Sequence, residues 1–540
     1  MTSMIHGSSA LELVAGKTIF DYADSLRVRV PTSCGRTGEC HECIVEIKRG
    51  MEALSRPSEP EGFLRDNYRL ACQATVVDAT AEVEFAALRR QPRILTDSIR
   101  REVRPEPAVT RHGDDVCFGG ERIDGYRGRI LGLAIDAGTT TVAINLVDLE
   151  SHQVLRTASF ENPQRFGGSD IMHRISYESG PSSGELQKVI LSAVNFEIGD
   201  MVRRMRLQRR QIYEVVVVGN ATMRDIFFGI DVAPIGERPY KSIIQTELEQ
   251  GLRETTALNV KARDLGLRVN RAANVYGGPL IGCHVGADVA ADLLAVGMDP
   301  AAGPCMLVDV GTNTEVVIGN GERMLAASCP AGPAFEGGEV TYGMPGYDGA
   351  VESVVIEDSR AICKTIGGLP PQGICGSGLV DLLAELRRTG MMNEMGAFAD
   401  GSREFVFAPE AGMSLSRADI SALAQAKSAN FAGQYILLRR FGLPLHQIDR
   451  LYLAGGFANY VNTANAVAIG FIADIPSERI VKVGNASLEG ATIMLLSQAM
   501  RRKMEQLTRR IEHVELETIS DFFDIFVEGC MMKPMPREFA

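Results

Sequence analysis

Hydrophobic and polar positions alternate in short runs at the start of the chain and give way to longer apolar strands and helical patterns further on. Residues 10–14 and 44–47 alternate with a period of two and predict strands, Gly16-Lys17 forms the turn after the first, and residues 18–26 predict a short helix. From about residue 89 to 127 the pattern fades into Arg, Pro, Asp and Glu. Pro92, Pro105 and Pro107 interrupt any helix or central strand there, so the stretch reads as an extended tether.

An apolar strand resumes at residues 130–135, runs into Asp136-Ala-Gly138-Thr139-Thr140-Thr141 and continues as a second strand over 142–149. The pattern returns about 170 residues later, where Met306-Leu-Val-Asp309-Val-Gly311-Thr312-Asn313 leads into another strand. Two copies of strand, Asp-x-Gly-Thr, strand predict two similar lobes. A third apolar strand ends in Ala454-Gly455-Gly456-Phe457, where paired glycines let a flat ring or sugar lie against backbone. Small residues at helical spacing over 286–294 predict the helix that connects the lobes. Gly373-Ile-Cys375-Gly376-Ser377-Gly378 and Gly484-Asn485-Ala486-Ser487 each open a helix, and both nucleotide contact and close helix packing fit them. Two further loops, at 162–170 and 328–338, are unusually polar and glycine-rich and suit a partner or a ligand.

Composition narrows the class. A chain of 540 residues exceeds one hydrophobic core and predicts roughly three or four domains. With 45% hydrophobic residues and a mean hydropathy near zero it reads as a soluble globular protein. A net charge of −12 argues against nucleic-acid binding; the basic run Arg501-Arg502-Lys503 with Arg509-Arg510 lies in a helical pattern and reads as a solvated face. No run of 18 apolar residues and no apolar leader occurs, so neither a membrane span nor secretion is expected. The 11 cysteines then imply a reducing, cytoplasmic setting in which thiols serve metal or redox chemistry or are simply buried.

Four of those cysteines form a pattern: Cys34, Cys40 and Cys43 in Cys34-Gly-Arg-Thr-Gly-Glu-Cys40-His-Glu-Cys43, answered by Cys72 in Arg69-Leu-Ala-Cys72-Gln73. A two-iron, two-sulfur cluster needs four thiolates and backbone N–H groups turned toward its sulfides, and Gly35 and Gly38 permit that close approach. A four-cysteine zinc site and a thioredoxin-like Cys-x-x-Cys are the alternatives; only Cys40 and Cys43 form a knuckle, which suits zinc less well. His41 reads as solvent-facing. Cys117 in the tether reads as incidental, and Cys283, Cys305, Cys329, Cys363, Cys375 and Cys530 read mostly as small buried hydrophobes.

The cysteine loop resembles ferredoxins of the plant and vertebrate type, its five-residue first gap being nearer the adrenodoxin-like branch. The Asp136, Asp309 and Gly455 motifs together resemble the two phosphate motifs and the adenosine motif of the superfamily of acetate and sugar kinases, heat-shock chaperones and actin. Joined on one chain, and with Asn162-Pro-Gln164, Gly219-Asn220-Ala-Thr222-Met223 and Gly332-Pro-Ala-Phe335-Glu336-Gly337, they resemble one family over nearly the whole length: the ATP-dependent reductive activators of corrinoid proteins.

The resemblance implies an α/β and α+β multidomain chain. A β-grasp ferredoxin-like domain over 1–88 precedes a linker over 89–127 and a two-lobed actin-like, RNase H-like ATPase with lobes 128–300 and 301–540. It implies a 2Fe-2S cluster on Cys34, Cys40, Cys43 and Cys72, and Mg²⁺ held largely through water by Asp136 and Asp309. ATP would be gripped by Gly138, Thr139, Thr140, Gly311, Thr312 and Asn313, with Thr139 and Thr312 joining the two aspartates in catalysis. Gly455, Gly456 and Phe457 would flank adenosine, and Gly376 and Ser377 would also contact nucleotide. The implied activity reduces inactive Co(II) of a corrinoid methyl carrier to Co(I). The implied partners are that carrier, an external electron donor (a ferredoxin, flavodoxin or reductase) and, possible by the same resemblance, a second copy of the chain. An ATP-driven electron donor to another low-potential enzyme and a small-molecule kinase with a redox-sensing domain are the competing readings.

Overall fold

The computed structural model describes residues 3–7, 9–88, 98–298, 303–320, 322–456 and 458–538. The alternating N-terminal segments build a five-stranded sheet in the order Ser9–Glu12, Ser3–His6, Glu82–Ala87, Ile44–Arg49, Tyr68–Leu70. The two segments nearest the ends of this domain pair in parallel, Met4 opposite Val83, and the remaining pairings are antiparallel. The helix Ile19–Ser25 lies against this sheet through Ile19, Phe20, Tyr22 and Ala23. It starts at Thr18 because Thr18 and Asp21 cap each other's backbone N–H groups.

Each ATPase-type lobe is built on a six-stranded sheet. In the first, Leu131–Ala137 is antiparallel to Thr141–Asp148 and parallel to Ile212–Val218. In the second, Cys305–Val310 is antiparallel to Thr314–Gly319 and parallel to Arg450–Ala454. Both Asp-x-Gly-Thr segments are therefore the turns of equivalent hairpins at equivalent places in their sheets. The hairpin strands are buried on both faces, which is why they read as continuous apolar runs rather than alternating ones.

Four expectations need correction. Residues 98–127 are not an extended tether: Val109–His112, Asp115–Phe118 and Glu121–Gly125 form a three-stranded antiparallel sheet with Val116 and Cys117 buried. Residues 98–106 run along the C-terminal half, with bridges from Ser98 to Gly484 and from Glu106 to Ser497. The prolines excluded long strands but not these short, edge-tolerant ones. The rest of the expected tether, 89–97, lies outside the described residues.

The lobe division at 300/301 also lies outside them, and the second half does not stay in its own lobe. The helix Ala486–Leu496 crosses back to pack on Ala287–Val296 and on the first-lobe strand Leu131–Ala137; a Cβ on Gly490 would stand 2.0 Å from the Ala291 carbonyl oxygen. Its continuation, Gln498–Thr508, is not a fully solvated basic face. Arg501 is buried and pairs with the fully buried Glu214 at 2.7 Å. His41, finally, faces protein rather than solvent. Among the described residues no helix is long and apolar enough to cross a membrane.

Candidate functional site

The cysteine loop follows the first helix and closes against the end of the strand Tyr68–Leu70. Gly35, Arg36, Gly38 and His41 take positive φ, and a Cβ on Gly38 would press within 3.0 Å of Pro60 and 3.1 Å of Gln73, so the coil is tight. Arg36 is pinned outward by Asp21 and Asp24 and lies over the Phe20 ring. Cys72 is brought in by the buried pair Arg69–Glu61 at 2.8 Å and by the Ala71 N–H, which donates to the Cys43 carbonyl at 2.8 Å.

The four thiols influence one another. Burial works to raise Cys34, but hydrogen bonds from the Thr37 hydroxyl, from the Cys40 backbone and thiol and from the Gly38 N–H outweigh it and hold the thiol down at about 5. Cys43 and Cys72 stand 3.4 Å apart and cannot both ionise: the bond between them raises Cys43, with burial adding to it, and lowers Cys72 to about 7. Thiolate-stabilising donors, two glycines at positive φ and four converging sulfurs fit a two-iron cluster.

This loop rests on the first ATPase-type lobe. His41, between Cys40 and Cys43, stacks on Phe63 with centroids 4.1 Å apart and meets Glu185 at 2.6 Å. Phe63 meets Phe166 edge-on, its carbonyl accepts from the Tyr177 hydroxyl at 2.7 Å, and Phe166 packs edge-on to Tyr177. The polar loop at 162–168 carries Phe166. Its first residue, Asn162, is fully buried and donates through Nδ2 to the Gly138 carbonyl and through its backbone N–H to the Thr140 carbonyl, both at 2.8 Å.

Those two carbonyls belong to one wall of a cleft of about 190 Å³ between the lobes. The cleft is lined by Asp136, Gly138, Thr139 and Thr140 from one hairpin, Asp309, Gly311, Thr312 and Asn313 from the other, and Gly376, Gly455 and Gly456 from farther along. The hairpins touch across it: Thr140 and Thr312 hydroxyls are 3.0 Å apart and both donate to Glu336, at 2.9 and 2.6 Å. A Cβ on Gly455 would stand 2.1 Å from the Val310 carbonyl oxygen, so the paired-glycine turn is pressed against the second hairpin. Ser377 is not in the wall; its hydroxyl donates to the Glu352 carbonyl at 2.8 Å and fixes the start of the helix Gly376–Arg388. Phe457 lies outside the described residues.

Asn220, Asp288, Glu315, Glu336 and Asn485 also line the cleft; the sequence placed Asn485 in a turn fit for nucleotide contact or helix packing and Glu336 in a loop fit for a partner or ligand, and gave the other three no site role. Asn485 donates to Asp136 at 2.9 Å and Asn220 to Thr139 at 3.0 Å. The signal for Asn220 and Asn485 was present in the sequence, since each caps the helix that follows a strand. Glu336 lay in the polar loop at 328–338, while Glu315 carried no such local mark.

The carboxylates share a strained electrostatic state. Burial raises Asp136 to about 7, with Asn485 opposing and Asp309 adding to it. Burial and the Asp309 charge raise Asp288 to about 8. Burial raises Asp309 to about 6 despite a hydrogen bond from Asp292, and it holds Asp292, Glu315 and Glu336 above the usual range as well. Buried acids crowded in this way could hold a divalent ion.

Comparison with known proteins divides the chain in the same way. Residues 4–77 match the 2Fe-2S iron-sulfur cluster binding domain, 131–301 match the RACo middle region, and 303–539 match the C-terminal domain of RACo, the ASKHA domain. The corrinoid activation enzyme RamQ of Eubacterium limosum is 27% identical over 95% of this chain and 96% of its own. The [Co(II) methylated amine-specific corrinoid protein] reductase of Methanosarcina barkeri is 23% identical over 73% of this chain and 76% of its own. The solved structure of a reductive activator for a corrinoid, iron-sulfur protein superposes with a TM-score of 0.71 at 28% identity, covering 99% of both chains. In the content and order of its domains, from iron-sulfur domain to ASKHA lobes, the chain resembles the ATP-dependent reductive activators of corrinoid proteins.

Proposed function

We propose that this protein uses ATP to return the corrinoid of a methyl-carrier protein from Co(II) to Co(I). The observation that carries the reading is the docking of a complete four-cysteine loop on the lobe that supplies one wall of a nucleotide-type cleft. When bound at Cys34, Cys40, Cys43 and Cys72, a 2Fe-2S cluster supplies one electron at a time, at roughly −400 mV for the plant type. Each ~59 mV by which the acceptor is more negative costs a factor of ten, so a purely passive donor would stall.

In the cleft, the N–H groups of the Gly138 and Gly311 turns and the hydroxyls of Thr139, Thr140, Thr312 and Asn313's amide would hold phosphates from both sides. Asp136 and Asp309 would hold Mg²⁺ through water, and Gly455 and Gly456 would flank adenosine. Thr140, Thr312 and Glu336, which meet across the cleft, would exchange their mutual contact for the ligand and so change how the lobes meet. ATP aids the reduction only if this rearrangement alters affinity for one oxidation state of the carrier. The free thiols suit a cytoplasmic setting, with an external electron donor and, by family likeness, a dimer.

The test mixes the full-length protein, its cluster intact, with a Co(II) corrinoid carrier and reductant, following Co(I) by absorbance. Co(I) should accumulate with Mg-ATP and not without it. Equal yields in both arms would remove the coupling, and transfer of the γ-phosphoryl group to a sugar or acid would favour a kinase.

A further inference from the structure

The sequence is acidic overall, yet one stretch has five arginines in eight positions: Arg203, Arg204, Arg206, Arg209 and Arg210. They sit at the end of the helix Glu185–Arg204 and in the turn beyond it, beside the iron-sulfur domain. A groove of about 320 Å³ separates the two, with Arg29, Ser33 and Glu42 on the cysteine-loop side and Arg203, Arg209 and Arg268 opposite. Ser33 directly precedes Cys34 and Glu42 directly precedes Cys43, so the groove opens onto the loop that would hold the cluster.

The charge there is largely unneutralised. Asp200 alone serves three guanidiniums, those of Arg29, Arg203 and Arg204, at 2.7, 2.9 and 2.6 Å. Glu42 accepts from Ser33 rather than from an arginine. Arg209 donates to the neutral carbonyls of Asn195 and Arg268, and among the described residues no carboxylate pairs with Arg206, Arg209, Arg210 or Arg268. Burial and the charges of Arg268 and Arg203 lower the pKa of Arg209, as expected where cations crowd together.

We propose that this groove and its arginine rim are the docking surface for an acidic one-electron carrier protein that reduces the cluster. The inference rests on the reading that the cysteine loop holds a redox cluster. Three features select such a partner. The positive charge spreads over a ridge and a groove spanning two domains, which suits a protein face better than a small anion. Phe196, the aromatic residue in the groove lining, lies under the Arg29 guanidinium at 5.0 Å rather than offering a bare face for a base to stack on. And the face reaches the cysteine loop through Ser33 and Glu42, at the far end of the helix whose first residue, Glu185, already holds His41. One electron leaves the reduced carrier and one enters the cluster; no bond is made or broken. Opposite charges on the two faces would steer the encounter and raise its rate most at low salt.

The experiment compares the full-length, cluster-loaded protein with an Arg206→Glu/Arg268→Glu variant, using a reduced acidic 2Fe-2S ferredoxin as the probe. Stopped-flow absorbance gives the second-order rate of cluster reduction at low and high ionic strength. The rate for the unaltered protein should fall as salt rises, while the variant should be about tenfold slower at low salt and nearly salt-independent. Dithionite should reduce both clusters equally. Arg206→Gln/Arg268→Gln, with a smaller loss, serves if charge reversal prevents folding. Equal rates with the ferredoxin, or an equal loss with dithionite, would overturn the proposal. So would an unchanged ferredoxin rate accompanied by lost Co(II) reduction in dithionite, which would assign the groove to the corrinoid carrier. If the unaltered protein gave no Co(I) from dithionite and Mg-ATP while the variant still slowed the ferredoxin, the docking surface would stand and the proposed function would fall.

Discussion

At the scale of single residues the two proposed chemistries should separate. Cys40→Ala removes one of four thiols outside the cleft wall and should abolish cluster absorbance and Co(I) formation while ATP hydrolysis persists. Asp309→Asn should do the reverse, lowering ATP hydrolysis by about 10² or more while leaving the cluster spectrum intact. Absorbance and phosphate release measured on both variants check the division; loss of both activities in either one, with the fold preserved, would refute it. Lys427 offers a different handle. It is fully buried, donates to the carbonyls of Ile469 and Met531 at 2.9 and 2.7 Å, and lies over Phe431. Burial lowers it from 10.5 to about 7, against the opposing pull of Cys530 and Glu528, while Lys533 adds to the lowering. Between those values the unfolded chain binds the extra proton, so stability should rise with pH across the window and be lost as pH falls toward 7. The slope is at most about 1.4 kcal/mol per pH unit, and Lys427→Met should flatten it. Urea midpoints at pH 7.5 and 9 decide this, and a slope retained in the variant would assign it to another group. The cysteines and the Asp-x-Gly-Thr aspartates were legible in sequence because spacing and glycine mark them locally. The pairings of Glu336 with Thr140 and of Arg501 with Glu214 were not, since those partners are 196 and 287 residues away.

At the scale of elements, the loop at 162–168 joins the two sites. One end is bonded to the backbone of the first hairpin through Asn162, and the other carries Phe166 against Phe63 of the iron-sulfur domain. Asn162 is not in the cleft wall, yet Asn162→Ala would leave the Gly138 carbonyl and the Gln164 N–H without a partner, a cost of about 1–3 kcal/mol. ATP binding should therefore weaken roughly tenfold by calorimetry. Phe63→Ala, at the far end, should raise amide exchange across 162–168; unchanged exchange there would show that the two ends are independent. The sequence marked this loop as serving a partner or ligand, and its partner is another domain of the same chain. Helix starts were equally legible: Asn220 and Asn485 cap the helices that follow their strands, a local hydrogen-bond choice. The small sheet over 109–125 was not legible, because three strands of four or five residues leave too short an alternation to separate from proline-rich coil.

For the whole molecule, the return of Ala486–Leu496 to the first lobe makes the two halves interdependent. Leu488, Ile493, Met494 and Leu495 are buried there, and exposing their contacts costs roughly 1.5–3 kcal/mol for each side chain. A fragment of residues 128–300 should aggregate when expressed alone and become soluble with 303–538 supplied in trans; a cooperative melt of the fragment by itself would contradict this. The sequence by itself marked the candidate groups and their order along the chain. Thiol spacing, paired hairpin turns and glycines at tight bends are fixed by geometry within a few residues. Only the tertiary structure decided what those groups face: the cysteine loop seated on the first lobe, Thr140 and Thr312 meeting over Glu336, the helix returning from the far end, and an arginine groove on an acidic protein. Each of these depends on burial and charge contributed by segments far apart in the chain, and hydrophobic periodicity within one segment carries no record of its neighbour.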